Sequence, residues 1–379
     1  MLNRRILRSK AVQYMYGLLQ SHTANYHLAI DHIKDHFAPD LMSLEPQDKV
    51  KLAADAEVAV SAFTDLIQND KPVDPEMDIP LKKAVNAAQL FMLNAIKKDN
   101  SYMATTLVQQ TEAVHDSYVL TLQILIRIIN FLEEDFVKKH HLEEKVFTFR
   151  VKLLESLEIR SNKTSKETAE NISDLAYNLY KEVLVKDQHV IEVFKNKLGD
   201  FEAERALLRD LIKVELLKHP YYETLMEEED FDWSENRLAV KDLVNKTLKN
   251  LTPDTPPAQI LIGISANWDE DKLFLKELFL NALDNKDKYI KFITSKLQNW
   301  DVSRISEIDM AILIIALSEM TSFPSIPVKV SINEYLEIAK EYSTPKSKDF
   351  INGLLDKVSL DLIDKGIIKK SGRGLIDNK

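Results

Sequence analysis

Glycine is scarce in this chain, and its scarcity restricts the possible folds more than any other feature. Seven glycines occur among 379 residues, and stretches that alternate apolar and polar side chains are rare as well. Sheet proteins need many tight turns, for which glycine is a preferred residue, so both observations favour helices. Hydrophobic residues make up 45% of the chain, which is enough for a sizeable core. The sequence therefore predicts an all-α protein, with two domains or one helical domain carrying a large insertion.

Apolar residues recur at helical spacing from the start of the chain. The apolar face of the first helix is formed by Leu7, Ala11, Met15 and Leu18. Further helices are predicted over residues 26–37, 48–68, 81–98, 102–139, 144–159, 165–197, 201–219 and 235–250. Ser234 is the expected N-cap of the last of these helices. Segments 70–80 and 251–259 each contain three prolines, which predicts breaks between helices there.

After residue 259 the spacing of apolar residues indicates the helices more clearly. Residues 269–297 fit either two helices or one helix with a kink at 284–285. The helix predicted from Ser303 to Thr321, with Ser303 as its cap, is apolar nearly all round, which indicates an enclosed central helix. Two more helices are predicted over 329–342 and 346–365. The closing SGRGLIDNK predicts a frayed end.

Several functional classes are excluded by residue types that the chain lacks. It has no cysteine, which excludes disulfides, thiolate metal sites and thiol nucleophiles and fits a cytoplasmic protein.

The N-terminus shows no signal-peptide pattern. The most apolar stretch, residues 118–132, is too short to cross a bilayer and carries Gln123 and Arg127. We therefore predict a buried helix there and no membrane association.

No enzyme signature is found. The glycine-rich loops that cradle phosphates are missing, as is the nucleophile motif of serine hydrolases. His32 and His36 lie four residues apart, a spacing that suits a metal, but Ile33 occupies the position where zinc proteases carry glutamate. A solvated polar helix face explains these histidines. We predict no catalytic residue, no cofactor and no metal.

Charge is distributed unevenly along the chain. The net charge is −10, yet the first 20 residues contain four cations and no acid, namely Arg4, Arg5, Arg8 and Lys10. Phosphate binding depends on a local basic face rather than on the charge of the whole chain. The first helix is therefore a candidate RNA-binding face, although the same cations could bind an acidic protein surface.

The two ends of the chain resemble the NusB family of bacterial transcription antitermination factors. Near the N-terminus, the resemblance rests on Asn3-Arg4-Arg5, Arg8, Ala11-Val12-Gln13 and Tyr16. Near the C-terminus it rests on Trp300, Arg304-Ile305, Ile308-Asp309, Ala316–Met320, Ile326–Val330, Ile332-Asn333-Glu334, Ala339–Tyr342 and Phe350–Lys357. These elements stand in the order and at the spacing of the family, so the chain is identified as a member.

The resemblance implies a fold and a function. The expected fold is a NusB-like helical bundle with a large additional helical insertion. Its expected parts are a basic first helix (1–20), an insertion of unknown role (21–257), a C-terminal helical core (258–366) and a flexible tail (367–379). The implied function is non-enzymatic: binding of the boxA element of ribosomal RNA leaders, a single-stranded RNA, with the ribosomal protein NusE, within the RNA polymerase antitermination complex.

The family's binding residues carry over by position. Those expected at RNA are Arg4, Arg5, Arg8, Lys10, Tyr16, Lys346, Lys348, Phe350 and Asn352. Those expected at NusE are Asp309, Pro327, Lys329, Asn333 and Glu334. Guanidinium groups suit phosphate oxygens, and tyrosine can stack on an unpaired base. For some positions a packing explanation is equally open: Phe350 as core, Gly353 as a close helix crossing, and Asp309 as a charge favoured by the helix dipole.

The chain also departs from the family pattern. Met310 and Ile314 stand where relatives often carry a basic residue, and Ser318 stands where they often carry tyrosine. These changes make the central helix more apolar, and we expect the insertion to cover a face that compact members leave exposed. The alternative function is a helical protein-interaction scaffold that does not bind RNA. NusB-like domains also precede RNA cytosine methyltransferases, but this chain lacks cysteine and a Rossmann-type domain.

Overall fold

The computed structural model of the chain describes residues 2–42, 46–140, 152–153, 166–182, 184–193, 200–212, 216–297 and 305–375. In these ranges the chain forms helices and no strand, which confirms the all-α prediction. The helices are α1 (Arg4–His36), α2 (Lys49–Gln68), α3 (Ile79–His140), α4 (Lys166–Glu182), α5 (Gln188–Glu192), α6 (Phe201–Asp210), α7 (Pro220–Glu229), α8 (Trp233–Asn250), α9 (Trp268–Ser295), α10 (Glu307–Ser322), α11 (Val328–Tyr342) and α12 (Pro345–Asp364).

The chain divides into two compact units. We call Met1–Arg4 with Gln109–Asp271 the central unit, and Arg5–Val108 with Lys272–Lys379 the terminal unit. Residues 21–108, which the sequence assigned to the insertion, thus lie in the same unit as α1 and the C-terminal helices.

Two helices are longer than predicted. The structure has one helix α1 through residue 36 and one helix α3 through the expected break near residue 100. Polar residues at that expected break are satisfied without interrupting α3. Asp99 accepts a hydrogen bond from Asn25 at 2.6 Å, and Asn100 lies 3.0 Å from a ring nitrogen of His22. Tertiary contacts with α1 therefore outweigh the local turn signal.

Several helix ends also differ from the predictions. Residues 268–295 form one helix, in which the Asn285 side chain donates to the Asn281 carbonyl at 3.0 Å. Helix α10 is capped by Ser306, whose hydroxyl accepts from the Asp309 N–H at 3.2 Å. Helix α8 begins after Asp232 rather than after Ser234. The predicted positions Trp300, Ser303 and Arg304, and nearly all of the helix predicted over 144–159, lie outside the described residues.

The central unit is built around the second half of α3. Eleven of the fifteen residues 118–132 are buried, which confirms the buried helix predicted there, and Arg127 is exposed. No described helix is long and apolar enough to cross a membrane. The buried carboxylate of Asp230 accepts hydrogen bonds from Ser117 at 2.7 Å and Asn236 at 3.0 Å. These bonds join α3 to the start of α8.

The terminal unit encloses α10. Every residue from 311 to 320 is buried, and α10 packs against α11 and α12, which confirms the enclosed helix predicted here. A second apolar cluster joins the end of α1 to α2 and the start of α3. Its fully buried members include Ala29, Ile33, Ala59, Phe63 and Val85. The unit therefore has two packed regions, with α1 contributing to both.

Residues 371–375, the described part of the segment predicted to fray, pack against the connection between α10 and α11. Gly372–Leu375 form a short 3-10 helix, and the N–H of Ser371 donates to the Pro324 carbonyl at 3.0 Å. A Cβ atom on Gly374 would lie 2.0 Å from that same carbonyl oxygen. Only glycine permits this close approach, so the tail packs on the connection between α10 and α11.

Lys370 should make this attachment dependent on pH. Its ammonium donates to the Phe323 carbonyl at 3.0 Å, and burial lowers the pKa of Lys370 to about 8, while the charge of Glu319 opposes the shift. In the unfolded chain the group keeps its ordinary value of 10.5. Between these two values the unfolded chain binds more protons than the folded protein, so stability should rise with pH.

The measurement is the free energy of unfolding of the protein and of a Lys370→Met variant at pH 7.5 and pH 10. We expect the protein to gain stability relative to the variant as pH rises, because the buried ammonium loses its charge. A difference between the two proteins that stays constant over this range would contradict the assignment.

Candidate RNA and partner interface

Helix α1 packs along the C-terminal helices of the terminal unit. The guanidinium of Arg5 donates two hydrogen bonds of 3.0 Å to the carboxylate of Glu334 on α11. Further along α1, the Gln13 amide donates to the Tyr342 hydroxyl at 3.2 Å. The hydrogen bond from Arg5 lowers the pKa of Glu334, which keeps this carboxylate charged. The two ends of the chain thus meet as the sequence resemblance requires.

Arg8 is buried rather than exposed. Only 5% of its surface is accessible, and its Nε and a terminal nitrogen donate to the fully buried Glu319 at 2.6 and 3.0 Å. Ser331 and Tyr335 also donate to Glu319, at 2.7 and 3.2 Å, and the guanidinium lies 5.5 Å from the centre of the Phe274 ring. Burial alone would lower the pKa of Arg8, but the hydrogen bonds and charge of Glu319 raise it. Arg8 is therefore a structural cation in this arrangement.

The other two cations of the first helix differ from each other. Lys10 is 2% exposed, so in this structure it has no access to an external phosphate. Arg4 belongs to the central unit, where it forms ion pairs with Glu270 and, at 3.4 Å, with Asp271. Arg4, Arg5 and Arg8 thus form ion pairs with carboxylates from distant parts of the chain, although the sequence analysis treated them as a free basic face.

The remaining RNA candidates lie nearer the surface. Tyr16 on α1 is 39% exposed, and Lys346 in the first turn of α12 is exposed. Lys348, Phe350 and Asn352 are half-buried. Phe350 therefore lies partly packed and partly accessible in the second turn of α12. The close helix crossing expected at Gly353 is wrong, because a Cβ atom there would meet nothing within 4 Å.

The residues expected at NusE fall into two groups. Lys329 and Asn333 are exposed on α11, and Pro327 is its half-buried N-cap residue. Asp309 is buried and accepts a hydrogen bond from Ser343 at 2.5 Å, while Glu334 already binds Arg5. The first turns of α11 therefore offer an accessible face, whereas Asp309 holds α10 to the end of α11.

Comparisons with known proteins show the family to which the chain belongs. The NusB family profile matches residues 257–360, which include α9 to α11 and most of α12. A transcription antitermination protein NusB of Salinibacter ruber is 42% identical over 146 residues, covering 37% of this chain and 91% of that protein. This chain belongs to the NusB family. The transcription antitermination protein NusB of Chloroherpeton thalassium is 36% identical over 36% of this chain and 61% of its own length. That of Bacillus licheniformis is 33% identical over 33% of this chain and 92% of its own length.

The departures from the NusB pattern on α10 have different surroundings. Ile314 and Ser318 are fully buried, and the Ser318 hydroxyl donates to the Leu278 carbonyl of α9 at 2.9 Å. Ser318 is thus buried in part by α9, which lies within the NusB match and not in the expected insertion. Met310 is half-buried and lines a groove together with Met92 of α3.

Sequence reasoning missed Glu319 and its hydroxyl partners. The available signal was a single carboxylate inside the otherwise apolar run MAILIIALSEM, because a charge in an enclosed helix requires a partner. The sequence does not identify the cation that pairs with Glu319, since Arg8 is 311 positions away. Among the described residues, no group of three or more histidines, aspartates or glutamates could hold a metal ion.

Proposed function

We propose that this NusB-family chain binds a boxA-type single-stranded RNA of ribosomal RNA leaders together with the ribosomal protein NusE, as part of the RNA polymerase antitermination complex. The observation that carries the proposal is the match to a named antitermination protein, 42% identical over 91% of its length. The surface supports it with a tyrosine, Tyr16, that can stack on a base and with lysines at the start of α12 that can meet phosphates.

Arg5 connects the two proposed faces. Its side chain is 51% exposed and pairs with Glu334, a residue of the proposed NusE face. If NusE contacts drew the Glu334 carboxylate away, the guanidinium of Arg5 would be available for a phosphate. Because coupling between two ligands is reciprocal, NusE should then tighten RNA binding and RNA should tighten NusE binding. A titration with each ligand in the presence of the other measures this coupling.

The direct experiment is an anisotropy titration of a labelled boxA-like single strand with the full chain, at low salt, with and without NusE. Binding that weakens as salt increases is expected, because phosphate contacts release counterions. No binding under either condition would contradict the RNA-binding function.

Lys346 provides the sharpest test of the RNA face. Replacing it with glutamate should weaken RNA binding on the order of tenfold at low salt, and should reduce the salt slope by roughly 0.7 for each phosphate that the variant no longer neutralises. The matched control is Lys51→Glu, which makes the same charge reversal at an exposed position in the first turn of α2. Glutamate is compatible with a helix N-terminus at both positions, so both variants should fold. Equal affinities for the two variants would remove Lys346 from the interface.

A second function is favoured by one specific observation, the ion pairs of the first helix. Arg4, Arg5 and Arg8 each have a carboxylate partner, so fewer free cations face an RNA than the sequence indicates. The alternative is a protein-interaction scaffold in transcription or ribosome assembly that binds NusE through α11 without RNA. NusE binding by a chain that does not bind boxA-like RNA would support it.

We further propose that the insertion relative to compact relatives is the part of the central unit that precedes the family match, residues 109–256, rather than residues 21–257. The support is that residues 21–108 pack in the terminal unit with α1 and the C-terminal helices. Deleting residues 109–256 with a short joining loop should leave a protein that folds, whereas deleting 21–257 should not. Circular dichroism and thermal unfolding of the two proteins would decide between the boundaries.

A further inference from the structure

A groove of about 600 Å³ opens in the terminal unit between α1, the end of α2, α3, the second half of α9 and the start of α10. Sites for small molecules commonly have volumes of roughly 300–1,000 Å³ and mainly apolar walls. The apolar lining of this groove consists of Leu19, Ile67, Met92, Ile96, Ile305 and Met310. Its size and walls therefore suit an organic ligand.

One cation, Lys286 of α9, lines this groove. Its ammonium nitrogen lies 2.7 Å from Nδ1 of His22, and Nε2 of the same ring lies 3.0 Å from the amide oxygen of Asn100. A carbonyl oxygen only accepts, so Nε2 carries the ring proton and Nδ1 accepts from Lys286. His22 is thus a neutral imidazole and supplies no negative charge. Burial lowers the pKa of Lys286, and burial together with the Lys286 charge lowers the pKa of His22.

Lys286 forms no ion pair with a carboxylate in the described part of the chain. The charge of Asp287, its neighbour on α9, raises the pKa of Lys286, but burial outweighs this effect and lowers the pKa. Glu307, which also lines the groove, accepts a hydrogen bond from Thr23 at 3.4 Å. Asp99 accepts from Ser21 and Asn25. A partly buried cation without a counter-ion is costly, and an anion from outside the chain would relieve that cost.

We propose that this groove binds a small carboxylic acid with an aromatic or aliphatic body, the carboxylate on Lys286 and the body against the apolar walls. This site is separate from the function proposed above. A single ammonium whose hydrogen-bond partner among the described residues, His22, is neutral matches one negative charge. A phosphate dianion would need more donors, and Glu307 would repel it more strongly than a carboxylate.

The test uses two probes and their uncharged analogues: indole-3-acetate with the corresponding alcohol, indole-3-ethanol, and octanoate with 1-octanol. Binding to the full chain is measured by ligand-observed NMR and calorimetry. We expect at least one acid to bind, and its alcohol to bind at least about tenfold more weakly, the factor for losing one hydrogen bond to a charged group.

Lys286→Met should reduce the affinity for the acid by a similar factor, while leaving the protein folded. Methionine replaces a partly buried charge with an apolar chain of similar length, so the melting temperature should be unchanged or higher. Lys291→Met is the matched control, because Lys291 is exposed on the same helix and does not line the groove. It should bind the acid like the unaltered protein.

Three results would overturn the proposal. These are no binding of either acid at millimolar concentration, equal affinity for acid and alcohol, and an affinity that Lys286→Met does not change. A short peptide with a free C-terminal tryptophan that binds at least tenfold more tightly than both acids, but not as its C-terminal amide, would instead assign the groove to a chain terminus.

Discussion

Replacing Arg8 with alanine is expected to reduce the free energy of unfolding by about 3–5 kcal/mol, the usual cost of removing one partner of a buried ion pair. The variant would leave the Glu319 carboxylate fully buried, with the hydroxyls of Ser331 and Tyr335 as its remaining side-chain donors among the described residues. It would also remove the packing of the guanidinium on the Phe274 ring. Urea unfolding followed by circular dichroism measures the change.

Arg5→Ala is the matched control, because Arg5 lies three residues away on the same helix and also pairs with a glutamate. The side chains of Arg5 and Glu334 are 51% and 22% exposed, so water screens the pair and its loss should cost less than about 1 kcal/mol. Comparable losses for the two variants would show that Arg8 is not the structural cation described here. The result also bears on function, since weaker RNA binding by an Arg8 variant would first have to be separated from unfolding.

Replacing Ile314 with lysine should destabilise the protein by about 4–7 kcal/mol. Full burial of a lysine shifts its pKa by roughly 3–5 units, and each unit corresponds to about 1.4 kcal/mol. Ile314 is fully buried in the middle of α10, where a lysine has no path to solvent. Since domains are typically stable by only about 5–15 kcal/mol, much of the terminal unit should unfold. Thermal unfolding and the dispersion of amide NMR signals would report it.

Met310→Lys provides the control one turn earlier on the same helix. Met310 is half-buried at the edge of a groove, so a lysine can extend its ammonium into solvent along an apolar stem, at a cost of about 1 kcal/mol. Both positions often carry a basic residue in NusB relatives. If Ile314→Lys proved as stable as Met310→Lys, the enclosed position of this α10 face would be wrong.

Much of the fold could be predicted from local patterns. The period of apolar residues indicated the helices, the unbroken apolar run 311–317 indicated an enclosed helix, and the run 118–132 indicated a buried one. The proline-rich breaks at 70–80 and 251–259 were also predicted correctly. Helix continuity near residue 100 could not be predicted, because the polar residues there are satisfied by α1, some 75 positions earlier in the chain.

The candidate site, like the fold, could be predicted from the sequence only in part. Local sequence identified a family and a basic first helix, because residue type and short spacing carry that information. Whether a given arginine faces solvent was decided by tertiary structure. Arg5 and Arg8 are alike in sequence, but only Arg8 meets a carboxylate from the interior of α10. The physical reason is that a charge is buried when the fold brings a counter-charge to it from a distant part of the chain. The periodicity of apolar residues along one helix does not identify that partner.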